Sequence, residues 1–296
     1  MIARLVGSEM CIRDRSIKPA MACDKANQAK SRLASTRHAG YSKEMNALAR
    51  HRVYVTSDLA TSGVVGLERD QTHYLINVLR LESGDRVIVF NGRDGEFEAE
   101  ITAVQKKSVD LTLLDCLRPQ EEVPDLMLAF APVKRARIDY IAEKATELGV
   151  GIIQPMMTEF TVMSRVNSDR LMANAVEAAE QTGRITLPDI REPVSFSRLL
   201  EDWPASRHIV FCDEKQAGSH PHAMADQVAD LSGPAAIFIG PEGGFSPLER
   251  DKLNAMENAI PVSLGANILR ADTAMVAALS VWQAVAGAWR NAHGST

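Results

Sequence analysis

Hydrophobic and polar positions follow two different rhythms along the 296-residue chain, and the change falls near residue 122. From His51 to Leu114 the period is mostly two. His51–Thr56 (HRVYVT), Arg86–Asn91 (RVIVFN), Glu96–Val104 (EFEAEITAV) and Ser108–Leu114 (SVDLTLL) read as strands. Tyr74, Leu75, Val78 and Leu79 recur at helical spacing and predict a helix over 70–81, with Asp70 as its N-cap. Asn91–Gly92 and Asp94–Gly95 supply turn residues. The expectation is a small, mostly antiparallel β unit over 49–121. The stretch Pro119–Pro124 (PQEEVP) then reads as a linker.

After the linker, short apolar runs alternate with helical patterns. Leu126–Ala131, Val150–Pro155, His208–Cys212, Ala236–Gly240 and Ile260–Leu264 read as buried strands. Arg135–Leu148, Asp169–Gln181, Pro247–Met256 and Ala271–Ala286 read as helices, the first ending at Gly149, a residue suited to the position after a helix. Strand–helix alternation predicts a parallel α/β sheet over 122–296.

Residues 1–48 keep neither rhythm. Their polar, small-residue composition predicts a disordered extension. GSEMCIRDR within it looks like translated adaptor sequence, so the expectation is a disordered or non-native extension with Met45 as an alternative start, the alternatives being a basic RNA-binding arm and a targeting presequence. This head carries nine Lys/Arg against four Asp/Glu, whereas the remainder carries 24 against 34. A net charge of -5 therefore joins a basic head to an acidic body, and any RNA binding by the body must use a local patch. No apolar run reaches the roughly 18 residues of a membrane helix. The cysteines at 11, 23, 116 and 212 show no CxxC or Cys/His cluster, which disfavours a zinc finger and a disulfide scaffold and fits a reducing, cytoplasmic setting.

Three segments carry candidate chemistry. In Ile237–Ser246 (IFIGPEGGFS) a strand runs into a glycine-rich loop, and a helix follows from Pro247 with Ser246 as its N-cap. Gly240, Gly243 and Gly244 let a ligand approach the backbone. No Lys follows them as in a P-loop, and the GxGxxG pattern is missing. In Ser263–Ala274 (SLGANILRADTA) a second strand ends in a loop whose Ile268 and Leu269 suit an apolar slot, with Arg270, Asp272 and Thr273 at the next helix start. In Glu177–Arg184 (EAAEQTGR), Arg184 follows a helix end and can present a guanidinium to a phosphate or a base.

The ordered set GPEGGFS and LGANILRADTA, preceded by KATELGVGIIQP (Lys144–Pro155) and EAAEQTGR, resembles the SPOUT methyltransferases. Within them it is most similar to the ribosomal RNA small-subunit methyltransferase E family, over about residues 50–288. The resemblance implies a SPOUT-type trefoil-knotted α/β domain preceded by a small PUA-like β-barrel that binds RNA. It implies a homodimer that uses S-adenosyl-L-methionine to methylate N3 of a uridine in 16S rRNA, in the assembled 30S subunit. On this chain the cofactor loops are Gly240, Pro241, Glu242, Gly243 and Gly244, and Leu264, Gly265, Ile268, Leu269 and Arg270. Many relatives have LRTETA where Leu269–Ala274 reads LRADTA, so Asp272 replaces a longer carboxylate.

The implied chemistry sets the remaining expectations. Uracil N3 carries a proton, so attack needs either a general base or stabilisation of the uracil oxygens. Asp272 is the candidate base. Arg270 and Arg184 are candidates for anion stabilisation and Thr273 for a hydrogen bond. Arg50, Arg52, Arg80, Lys134 and Arg135 are candidate RNA contacts, and Arg137 shares the helix start with the last two. Cys212 closes an apolar strand and reads as core, which disfavours C5 methylation through a cysteine nucleophile. No metal is expected. The alternatives are another SPOUT reaction, at ribose 2′-O or guanine N1, or a non-enzymatic rRNA-binding assembly factor.

Overall fold

The computed structural model describes residues 51–293 apart from 106–107, 134 and 164, without the side chains of 135–136 and 291–293. The head 1–48, Arg50, Lys134 and the side chain of Arg135 lie outside the described residues.

Strands β1 (Arg52–Tyr54), β2 (Val64–Gly66), β3 (Arg86–Phe90), β4 (Glu96–Val104) and β5 (Val109–Arg118) form one sheet in the order β1-β3-β4-β5-β2. All its pairings are antiparallel except β1 with β3. The alternation read from the sequence sends Val87, Val89, Phe97, Ala99, Ile101, Leu111 and Leu113 into a shared core. The helix predicted over 70–81 is a different object. Helix α1 spans only Arg69–His73 and is capped by a Glu68/Gln71 box rather than by Asp70. It then widens into a π turn, Tyr74–Val78, in which the Leu79 N–H donates to the Tyr74 carbonyl at 3.0 Å. The wider turn buries Leu75 fully while Tyr74 and Val78 stay exposed. Arg80 leaves it in the left-handed region at φ 59°.

The second sheet holds β6 (Leu126–Phe130), β7 (Ile152–Met157), β8 (Asp189–Ile190), β10 (His208–Cys212), β11 (Ala235–Ile239) and β12 (Ala259–Val262), in the order β12-β10-β11-β6-β7-β8. A further strand, β9 (Val194–Ser195), pairs with β7. Every pairing is parallel. Central strands such as β6 and β11 are buried along their whole length because helices cover both faces. One face packs against α2 (Arg135–Glu147), α3 (Ser168–Thr182), α5 (Met224–Val228) and α7 (Ala271–Val285). The other packs against α4 (Phe196–Glu201) and α6 (Pro247–Asn254) through Phe196, Phe211, Phe238, Phe245 and Leu253. Strands β2, β8 and β9 and helices α4 and α5 are too short to leave a period in the sequence.

The two sheets are joined at the C-terminal end of α3. Glu96, with a side chain only 4% exposed, accepts from Arg52 at 2.8 Å and from Arg118 at 2.7 Å. The two guanidiniums it holds cap the helix end. Arg52 donates to the carbonyls of Ala179, Glu180 and Arg184, and Arg118 to that of Gly183. Cations there complement the helix dipole and the last unsatisfied carbonyls. Glu180 accepts the Tyr54 N–H at 2.8 Å, and burial raises its carboxyl above the ordinary range. Arg52, expected to contact RNA, is instead largely buried in this joint.

Arg184 is also placed away from its expected role. Its guanidinium donates to the carbonyls of Thr146 at 2.6 Å and Val150 at 2.8 Å and to the Thr186 hydroxyl at 2.9 Å. It closes the C-terminal end of α2 from inside the protein, and burial lowers it to about 10. It remains a cation at neutral pH, with its donors turned to backbone rather than to a ligand.

Candidate functional site

Ligands of open α/β sheets bind beyond the carboxyl ends of the strands. Here three adjacent parallel strands, β12, β10 and β11, end side by side. The segments that leave them converge on one cavity. Cys212 ends β10, and Asp213, Glu214 and Ala217 follow it; Gly240–Glu242 and Gly244 follow β11, and Leu264, Gly265 and Asn267–Leu269 follow β12. Ala271 and Ala274 of α7 close it, with Ile239 and Val262 at its base.

The sequence explains the shape of these loops. The Gly244 N–H donates to the Pro241 carbonyl at 2.9 Å, which folds the β11 loop into a tight turn with Gly244 at φ 69°. A Cβ on Gly240 would press on the Gly244 backbone at 3.3 Å, and one on Gly244 would strike the Glu214 carboxylate. The loop then passes directly into α6. The Ser246 hydroxyl accepts from the Glu249 N–H, and the Glu249 carboxylate accepts from Ser246 N–H at 2.9 Å and Glu159 N–H at 2.8 Å. A buried capping box thus ties the loop to the turn after β7. Gly265, at φ 114°, accepts the Gly218 N–H at 2.8 Å and holds the β10 and β12 loops together.

Of the loop residues expected to hold a cofactor, Gly240, Pro241, Glu242, Gly244, Leu264, Gly265, Ile268 and Leu269 line the cavity. Gly243 does not. A Cβ there would point at the ring of Phe160, 3.3–3.5 Å away, on the outer side of the loop. The cavity also takes in residues that the sequence reading passed over. Asp213, nearly fully buried, and Glu214 form an acidic wall held by Arg250 of α6 at 3.1 and 3.2 Å. Acids directly after an apolar strand are common in loops, so only the spacing to Arg250 could have flagged them.

At the rim, Arg270 is the N-cap residue of α7, and its exposed guanidinium makes no described contact. Thr273 is exposed one turn on. Asp272 accepts the Thr273 N–H on Oδ1 at 3.0 Å and turns Oδ2 toward Arg137 Nε, 3.7 Å away. Arg137 also donates to Glu242 at 3.2 Å, so it spans the β11 loop and the start of α7. Arg80 is exposed on the β unit, outside the residues that line the cavity.

Cys212 lines the cavity, but burial pushes its thiol up to about 12, opposite to what a cysteine nucleophile needs. Among the described residues no group of His, Cys, Asp and Glu could hold a metal ion, and no helix is long and apolar enough to cross a membrane.

Comparison with known proteins agrees with this geometry. The family described as "RNA methyltransferase domain" matches residues 119–283, and "RNA methyltransferase PUA domain" matches 67–114. Ribosomal RNA small subunit methyltransferase E of Rickettsia conorii is 32% identical over 232 residues, covering 78% of this chain and 93% of the relative. The protein of the same name from Bacillus subtilis is 27% identical, covering 71% and 86%. A methyltransferase of Legionella pneumophila, solved with the bound cofactor SAM, superposes with a TM-score of 0.70 at 28% identity and covers 80% of this chain and 98% of its own. Ribosomal RNA small subunit methyltransferase E of Neisseria gonorrhoeae, solved with S-adenosyl methionine, gives 0.70 at 25% identity with the same coverage. The mixed first sheet followed by a parallel α/β sheet is the PUA-like plus SPOUT-type arrangement, and the chain belongs to the ribosomal RNA small subunit methyltransferase E family.

Proposed function

We propose that this protein is an S-adenosyl-L-methionine-dependent methyltransferase that methylates N3 of a specific uridine in 16S rRNA. The observation that carries the reading is the cavity where three strand ends meet, lined by the two glycine loops. Its donor set suits the cofactor. Ile239, Val262, Leu264 and Leu269 offer an apolar slot for a flat base. Glycine backbones free of Cβ atoms offer main-chain hydrogen bonds, and Asp213 and Glu214 offer carboxylates to hydroxyl or ammonium groups. When bound, the cofactor supplies a methyl group already activated by its sulfonium. The protein's part is then to position the acceptor in line and to manage its proton.

We place the acceptor uracil at the rim formed by Arg270, Asp272 and Thr273, with the β unit and Arg80 bearing on RNA. An acidic body makes diffuse attraction to RNA weak, so a shaped surface, that of the assembled 30S subunit, is the proposed substrate, and a homodimer the proposed working form. The test is nucleoside mass spectrometry after incubation with the methyl donor and 30S subunits lacking the modification. The expected product is 3-methyluridine. Finding only 2′-O-methyl nucleosides or 1-methylguanosine would sink the reading.

A further inference from the structure

We propose that Arg137 is a catalytic residue, donating to a carbonyl oxygen of the target uracil, and that Asp272 aims it rather than acting as the base. The inference rests on uracil-N3 methylation as the reaction. Arg137 sits in the first turn of α2, where the helix dipole disfavours a cation. A guanidinium in that position needs compensation, and it receives two carboxylates, Glu242 of the β11 loop and Asp272 of the first turn of α7. Nη1 donates to Glu242 at 3.2 Å and Nε lies 3.7 Å from Asp272. These are the charged groups within ion-pair distance of it among the described residues. A guanidinium has five donors, and the remaining ones have no described partner. The side chain is 27% exposed, so solvent and a substrate can reach it.

The same geometry gives Asp272 a positioning role. One oxygen is engaged by the Thr273 N–H and the other faces a cation, so taking a proton would break an ion pair at the moment of reaction. Uracil N3 lies between two carbonyl groups, and loss of its proton spreads the charge onto both oxygens. A pre-aimed guanidinium beside one of them stabilises that anion. The N3 proton leaves to water or hydroxide, and the N3 lone pair forms the new N–C bond. The C–S bond breaks with its electrons going to sulfur, turning the sulfonium into a neutral thioether.

The test compares single-turnover rates of Arg137→Met, Arg137→Lys, Asp272→Asn and wild type on unmodified 30S subunits across pH, with S-adenosylmethionine affinity from calorimetry. Arg137→Met should lose about 100-fold at neutral pH, with cofactor affinity within about threefold, a range under 1 kcal/mol, which also certifies the fold. Its deficit should shrink as pH rises, because uracil then ionises unaided. Arg137→Lys should recover part of the rate. Asn at 272 still accepts the Thr273 N–H but gives up the ion pair with Arg137, so Asp272→Asn, as a change at a positioning residue, should lose rate but stay within about tenfold of wild type. An Asp272→Asn loss as large as that of Arg137→Met, a deficit constant with pH, or a loss confined to cofactor affinity would each overturn the assignment while leaving uracil methylation standing. A wild-type protein that forms no 3-methyluridine would overturn the reaction itself, and the assignment with it.

Discussion

Glu96 holds Arg52 at 2.7 Å across the joint between the two sheets, and through that guanidinium the β unit grips the carbonyl end of α3. A buried carboxylate between two arginines, Arg52 and Arg118, is strongly coupled to its surroundings. Removing it takes the ion-pair partner from the largely buried Arg52. Glu96→Ala is expected to destabilise the protein by about 3 kcal/mol, measured by urea unfolding, whereas Arg86→Ala, which breaks an exposed pair with Glu98, should cost under about 1 kcal/mol. Equal effects would show that the joint contributes no more than a surface pair.

Glu180 gives the joint a pH dependence whose sign can be worked out. Burial raises its folded-state carboxyl above the ordinary 4.5, so the folded protein favours the protonated form. Its contribution to stability is fully present below the unfolded value and is lost as pH rises through the raised folded one. Glu180→Gln keeps an acceptor for the Tyr54 N–H and removes the titration. The variant should show a flatter stability profile from pH 4.5 upward through the mildly acidic range, and should match or exceed wild type at neutral pH. Thermal unfolding in a buffer series reads this directly, and a steeper profile in the variant would contradict it.

Arg184 should behave as a structural residue. Arg184→Met leaves the buried Val150 carbonyl without its described donor and the Thr146 carbonyl with only the Gly149 N–H, and a loss of about 2 kcal/mol is expected. Cofactor affinity of the folded fraction should be unchanged in calorimetry at low temperature. Selective loss of cofactor or RNA binding at unchanged stability would return Arg184 to the site.

Gly244→Ala tests the cavity wall. The residue sits at φ 69° with the Glu214 carboxylate against its Cα, so a methyl group must displace one or the other. We expect a stability cost of about 1 kcal/mol and at least a tenfold weaker affinity for S-adenosylmethionine, about 1.4 kcal/mol. Gly84→Ala, at a positive φ with open space around it, should share the backbone cost without the binding defect.

Cys212→Ala should retain methyl transfer within about threefold, under 1 kcal/mol in barrier, because its buried thiol stands far from the ionised form. Loss of activity with cofactor binding intact would reopen cysteine-dependent C5 chemistry.

The two glycine loops and α7 were legible because each combines a strand end, a residue free of Cβ and a helix cap within a few positions, all local signals. The placements of Arg52 and Arg184 were not legible for the opposite reason. Besides Glu96 and the Thr186 hydroxyl, their partners are backbone carbonyls, 127 residues away for Arg52 and Ala179, and 38 for Arg184 and Thr146. Carbonyls carry no side-chain identity, so nothing in composition or spacing marks them. The acidic wall of Asp213 and Glu214 was hidden likewise, since Arg250 reaches it from a later helix. The π turn at Tyr74–Val78 keeps helical spacing in sequence, and only its hydrogen bonds, one residue longer than α, distinguish it.

The convergence of three strand ends on one cavity has a consequence for the timing of synthesis. Its walls come from residues near 213, 241 and 268, and its closing helix begins at Ala271. A ribosome making this protein must therefore release most of the chain before any cofactor can be captured. A nascent or truncated chain ending before Ala271 lacks the helix that closes the cavity, so ligand binding stabilises only the finished product.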